Sequence, residues 1–152
     1  MKPAHSDKRK ARAAARLAAV QALYQHEMEA TPAARLLDEF HQHRFGMEID
    51  DAVYAGAEAA FFDDLVTGTL ARRDEIDALL TGKLAEGWKL DRLDRTMLQI
   101  LRAGTYELIA RADVPVGTAI GEYLDVAHAF FDAREAKFVN GVLDALAKDV
   151  RG

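Results

Sequence analysis

Asp91-Arg-Leu93-Asp-Arg-Thr-Met97-Leu98-Gln-Ile100-Leu101-Arg-Ala-Gly104-Thr105-Tyr-Glu-Leu108 is the stretch that decides the fold class. Leu93, Met97, Ile100, Leu101, Gly104 and Leu108 recur at i, i+4, i+7, i+8, i+11 and i+15. At ~100° per residue these positions share one side of an α-helix. Leu98 and Thr105 lie beside the row and widen it. So broad an apolar surface predicts the central helix of a bundle. Asp91 is expected to cap its start. Asp113-Val114-Pro115 is expected to end it, because proline cannot continue the hydrogen-bond ladder.

Moving toward the C-terminus, Val116, Ile120, Tyr123, Leu124, Ala127 and Phe131 share one side of a further helix. Asp132-Ala133-Arg134 reads as a loop, and Phe138, Val139, Val142, Leu143 and Leu146 line a last helix. Asn140 and Gly141 are poor helix formers in its middle. A buried hydrogen bond from Asn140 and a close helix contact at Gly141 would account for them.

Toward the N-terminus, Phe61, Leu65, Leu70, Ile76, Leu79 and Leu80 continue near helical spacing, with Phe62 and Val66 widening the stripe. Gly68 costs such a helix about 1 kcal/mol relative to alanine. A tight helix crossing there is the expectation, with a kink near Arg72-Arg73 as the alternative. Gly82 and Gly87-Trp88 mark the connection to the central helix. Leu36, Leu37, Phe40 and Phe45 form the apolar side of an earlier helix, with Thr31 as its cap, Pro32 in its first turn and Gly46 at its end. Residues 49–54 read as a connector. Nothing in residues 8–28 breaks a helix, and there Leu17, Val20, Tyr24 and Met28 fall on one face.

No segment alternates apolar and polar residues long enough to require a strand. The chain therefore reads as all-α, a single-domain bundle of about seven helices over residues 8–150, behind a flexible tail of residues 1–7. With 152 residues it is long enough to bury a real core. No apolar run approaches the ~18 residues of a membrane span, and no apolar signal core follows the N-terminal charges. The absence of cysteine excludes disulfides and thiolate metal ligands. A cytoplasmic location, away from membranes, is expected.

The formal net charge of −5 conceals a strong asymmetry. Residues 1–16 hold six basic residues (Lys2, Lys8, Arg9, Lys10, Arg12, Arg16) and one acid, while the remainder holds 14 basic and 24 acidic residues. An acidic body with a basic arm suits an anionic partner met at one end. RNA is the reading preferred for that arm over a merely solubilising terminus.

Catalytic chemistry finds little support. Ser6, the only serine, has no nucleophile-elbow context. The ten glycines are scattered singly, without a phosphate-cradling loop. Asp50-Asp51 and Asp63-Asp64 are adjacent and splay apart on a helix, and Glu58 near them lacks the paired pattern of di-iron bundles. His41 and His43, near His26, Glu39 and Asp50, do not share a helix face, so polar surface residues are expected rather than a metal site. No cofactor is expected.

The binding signals are stronger. Lys137-Phe138 places a cation beside an aromatic at an expected helix start, where open backbone amides suit a phosphate. Basic groups on phosphates and aromatics stacked on bases are the usual means of holding single-stranded RNA. Phe138 also opens an apolar stripe, so core packing is the competing reading.

Several segments together resemble the NusB-type transcription antitermination factors over nearly the whole chain. They are Arg12-Ala-Ala-Ala-Arg16 with Ala19-Val20-Gln21-Ala22-Leu23-Tyr24, residues 61–68, Trp88-Lys-Leu-Asp-Arg92-Leu and Ile100-Leu-Arg-Ala-Gly-Thr-Tyr-Glu-Leu108. Asp113-Val-Pro115 and Phe138-Val-Asn-Gly-Val-Leu-Asp144 complete the set. The same module is similar to a domain preceding some ribosomal RNA cytosine methyltransferases, whose catalytic domain is not expected here.

The resemblance implies two packed helical sub-bundles and an RNA-binding adaptor without catalysis. It implies binding of boxA-type single-stranded leader RNA of ribosomal RNA operons, together with the small-subunit ribosomal protein NusE, in the RNA polymerase antitermination complex. Homodimers occur in the family, which leaves a homodimer open. By position, Arg12, Arg16 and Tyr24 match RNA-contacting residues of the family's first helix, and Lys137 and Phe138 match their C-terminal counterparts. Ala13 and Ala14 stand where relatives often have arginines, with Lys8, Arg9 and Lys10 one turn earlier as the substitutes. Met97-Leu98 stand where many relatives have an acidic-basic pair, so no partner-interface residue is carried over. A helical protein-interaction module that does not bind RNA is the alternative.

Overall fold

A computed structural model describes the backbone of residues 4–42 and 52–151 and the side chains of residues 8–42 and 59–151. The described residues form seven α-helices and one short 3-10 turn, with no strand among them. The expected all-α class is therefore correct. Contacts divide the chain into two compact units, Met1–Gly68 and Thr69–Gly152. The expectations for His43, Phe45, Gly46, Ile49 and Asp50 lie outside the described residues.

The first unit holds α1 (Ala4–Glu29), α2 (Ala33–Phe40) and most of α3 (Ala52–Ala71). Helix α1 thus begins ahead of Lys8, and α3 already includes part of the expected connector. The buried side of α1 is Ala11, Ala15, Ala18, Ala19, Val20, Ala22 and Leu23. Of the expected apolar face only Val20 is buried; Leu17 is half-buried, and Tyr24 and Met28 are exposed. An alanine methyl projects little beyond the backbone, so closely approaching neighbours cover it completely while larger residues one position away stay at the edge.

The chain leaves α1 through Ala30, whose φ of 56° lies in the left-handed region that favours glycine. Thr31 does not cap α2. Pro32 occupies the flanking position, where no side chain caps the helix, and the Thr31 carbonyl accepts from His26 Nδ1 at 2.8 Å. Leu36 is buried, Phe40 stacks on Phe62 at 5.3 Å, and His41 Nε2 meets Asp63 at 2.6 Å, tying α2 to α3.

In the second unit, helix does not run straight through from Leu70 to Leu80. Helix α3 ends at Ala71, Arg72 adopts φ −108° and ψ 19°, and α4 spans Arg73–Thr81. Helix α3 runs through Gly68 without a break, and the kink near Arg72-Arg73 is present. The Arg72 side chain grips Glu75 with two hydrogen bonds of 2.9 and 3.0 Å. These raise the Arg72 pKa and lower that of Glu75. Restarting the helix lets α4 pack on α5 and α7, with Ile76 and Leu80 fully buried.

Asp94, not Asp91, caps α5 (Arg95–Ala110). Its carboxylate accepts from the amides of Thr96 at 2.8 Å and Met97 at 3.1 Å. Asp91 belongs to the exposed 3-10 turn Leu90–Arg92, and Leu93 is extended at φ −76° and ψ 150°. That extended residue separates Asp91 from the open amides of the helix. Every residue from Met97 to Leu108 is buried, as expected of a central helix.

Helices α6 (Val116–Phe130) and α7 (Ala133–Val150) pack on α5 and on each other. All three converge at Gly104, where a Cβ would lie 3.1 and 3.2 Å from the Leu143 methyls and 3.4 Å from the Tyr123 ring. Two polar interactions lock the arrangement. Tyr123 donates its hydroxyl to the buried Glu107 carboxylate at 2.8 Å, and Arg102 forms two 2.9 Å bonds with Asp77. Arg151 closes the unit by donating to the carbonyls of Glu107, Leu108, Arg111 and Val114 at 2.6–3.2 Å.

Candidate nucleic-acid interface

Helix α1 presents the basic arm in a continuous helical register. Lys8, Arg9 and Lys10 are exposed, and Arg12 is half-buried with its guanidinium carbon 4.5 Å from the centroid of Phe61. Arg16 differs from the others. It is only 2 % exposed, and its guanidinium lies 5.1 Å from the same ring. A row that reads in sequence as three successive cationic turns thus divides into an outer part and a packed part. Phe61, which α3 brings beside the row, neighbours both guanidinium groups, and a buried ring is a better neighbour for a weakly hydrated guanidinium than for an ammonium.

Tyr24 stands further along α1 with 39 % of its surface exposed. Lys10, Ala13, Ala14, Tyr24 and Met28 are the exposed residues flanking the half-buried Leu17 and Gln21. Cations at one end and an aromatic further along offer groups for phosphates and for a base on the same helix.

In the second unit Lys137 is exposed and Phe138 is 36 % exposed, while the next residue, Val139, is wholly buried. These two side chains are not at the helix start. Asp132, read from sequence as part of a loop, is the N-cap, and α7 begins at Ala133. Its carboxylate accepts from the amides of Arg134 at 3.0 Å and Glu135 at 3.4 Å, so the open-amide contribution expected beside Lys137 is used internally. The Asp132 pKa is held down, first by hydrogen bonding with the Glu135 side chain and then by the Glu135 and Arg134 amides.

Asn140 and Gly141 are exposed, and a Cβ on Gly141 would meet nothing within 4 Å. The expected buried hydrogen bond and close helix contact are therefore incorrect. Both residues border the Lys137-Phe138 surface instead, where low helix propensity is tolerated because α5 and α6 hold the opposite face. Sequence reasoning passed over the exposed Phe130, at 43 %, and placed Trp88, at 54 % exposure, in a connection without assigning it a surface role. Gly87, at a φ of 88°, forms the turn ahead of Trp88, and the Gly87-Trp88 pair is the only sign of it in the sequence.

Among the described residues no group of three or more His, Asp or Glu side chains is arranged to hold a metal ion. Among them also, no helix is long and apolar enough to cross a membrane.

The sequence model of the NusB family matches residues 13–148. The chain belongs to the NusB family. A relative from Novosphingobium aromaticivorans, named transcription antitermination protein NusB, is 75 % identical over 142 residues, covering 93 % of this chain and 96 % of the relative. The NusB-family chain is likewise similar to the solved structure of T. maritima NusB, with a TM-score of 0.76, 32 % identity and 91 % of each chain covered. A second solved structure, of antitermination factors NusB and NusE in complex with double-stranded RNA, gives a TM-score of 0.78 at 26 % identity. It covers 92 % of this chain and 98 % of the other. Family membership makes this chain a transcription antitermination factor rather than an enzyme.

Proposed function

We propose that this NusB-family chain is an RNA-binding adaptor that holds boxA-type single-stranded leader RNA of ribosomal RNA operons. It does so together with the small-subunit ribosomal protein NusE, as part of the cytoplasmic RNA polymerase antitermination complex. The observation that carries the reading is the exposed Lys8-Arg9-Lys10 cluster and Arg12 on the same helix as the exposed Tyr24. Lys137 and the partly exposed Phe138 repeat the pairing of cation and aromatic on α7. The similar structure containing NusB, NusE and RNA supports both partners.

That similar structure contains double-stranded RNA, whereas exposed aromatic rings suit bases that are not already stacked in a duplex. The test is binding of a boxA-type strand, a scrambled strand and a boxA-type duplex, each with and without NusE. The expected order is boxA strand first, with binding strengthened by NusE. Equal affinity for the boxA and scrambled strands overturns sequence recognition. NusE binding with no RNA binding leaves the protein-interaction module instead.

A further inference from the structure

Arg12 and Arg16 are one helical turn apart on α1 and share one aromatic ring. Their guanidinium carbons lie 4.5 and 5.1 Å from the Phe61 centroid. Phe61 is 4 % exposed and Arg16 is 2 % exposed, so the ring and the second guanidinium are interior, while Arg12 reaches the surface. Like charges four residues apart on a helix repel. Attraction to the negative face of a desolvated ring opposes that repulsion and holds both guanidinium groups near it.

Stacking engages the face of a guanidinium, whereas its N–H donors lie in its plane. Arg12 reaches the surface beside the ring, and its five N–H donors exceed what a single contact uses, so a phosphate can draw on some of them. Arg16, at 2 % exposure, presents almost no surface to one. An arginine already restrained by a ring loses less side-chain freedom on binding than one that swings in water.

We infer that Phe61 is a positioning residue for RNA. Its ring, with Arg16 packed beside it, holds the Arg12 guanidinium in place to meet a backbone phosphate. The inference rests on the proposed RNA-binding reading and adds to it a residue on α3 that does not itself touch RNA. It also divides the arginines, with Arg12 contacting phosphate and Arg16 supporting it.

Three variants of the full chain test this against a synthetic boxA-type RNA strand over a salt series. Phe61→Leu removes the aromatic face and keeps an apolar side chain, and it should weaken binding roughly threefold to thirtyfold. Its salt slope should stay at the wild-type value, because the number of phosphates neutralised is unchanged. Phe61→Tyr keeps the face and should restore affinity. Arg12→Ala should instead lower the slope magnitude by about 0.7, the share of one phosphate on a single strand.

In NMR spectra of the free protein the Arg12 Nε–H should show a ring-current shift that Phe61→Leu abolishes. Wild-type affinity in folded Phe61→Leu overturns the inference. If leucine prevents folding, Phe61→Met is judged by the same criterion. A wild-type protein that binds no RNA overturns the proposed function itself, and the persistence of the ring-current shift separates that failure from the absence of stacking.

Discussion

Replacing Phe138 with alanine sets the stability and binding roles of one side chain against each other. Complete removal of a buried phenylalanine costs ~3–5 kcal/mol. Phe138 is 36 % exposed, so about two-thirds of that cost, ~2–3 kcal/mol, is an upper bound. The truncated site opens to solvent and leaves no sealed cavity, which lowers the cost further. Loss of one stacked base, by contrast, weakens RNA binding by ~1–3 kcal/mol, roughly fivefold to 150-fold. Chemical denaturation gives the first quantity, and RNA titration well below the melting temperature gives the second. Phe138→Leu is the control: it keeps most of the apolar cover on α7 but has no ring. The leucine variant should melt near wild type and lose nearly as much RNA affinity as the alanine variant. Wild-type RNA affinity in both folded variants would refute the stacking argument. A stability loss well above ~3 kcal/mol in the alanine variant would return Phe138 to the core.

Leu101→Ala, at a fully buried position of α5, should destabilise by ~2–5 kcal/mol through lost burial and a cavity, read from the denaturation midpoint. Arg151→Ala removes the donor shared by four carbonyls at the end of α5 and in the following loop. It should cost ~1–3 kcal/mol in a thermal melt. Arg151→Lys should recover only part of this, since an ammonium cannot span the same acceptors. Acid should weaken the start of α4 in a defined direction. Glu75 has its pKa lowered by Arg72, so its contribution is present above the usual glutamate value and is lost as pH falls through the lowered one. Arg72, with its pKa raised, stays charged throughout that range. Glu75→Gln should therefore flatten the acid side of the melting-temperature profile, and an unchanged profile would show that the pair contributes nothing.

What the sequence by itself determined is the helical class and the identity of the central helix. The spacing of Met97, Ile100, Leu101, Gly104 and Leu108 follows the helical period and determines one buried side of α5, whereas the burial of Gln99, Arg102 and Glu107 is not written in it. The end of that helix before Pro115 was equally legible, because proline acts on its own neighbours. The concentration of cations on α1 also needs no structure to be seen.

The tertiary structure decided which of several equivalent local choices was used. Asp91 and Asp94 are both competent caps, and only the extended conformation at Leu93 selects Asp94. Alanines rather than Leu17, Tyr24 and Met28 bury α1, because coverage depends on how closely a neighbour approaches and not on side-chain size alone. Arg16 resembles Arg12 in every local respect and shares the Phe61 ring with it, yet Arg16 is interior while Arg12 is only half-buried, a difference settled by packing. Helical periodicity is carried by residues three and four apart and is written into the chain. The group that faces a side chain comes from another helix, so its burial and its electrostatic role are settled only when the helices pack.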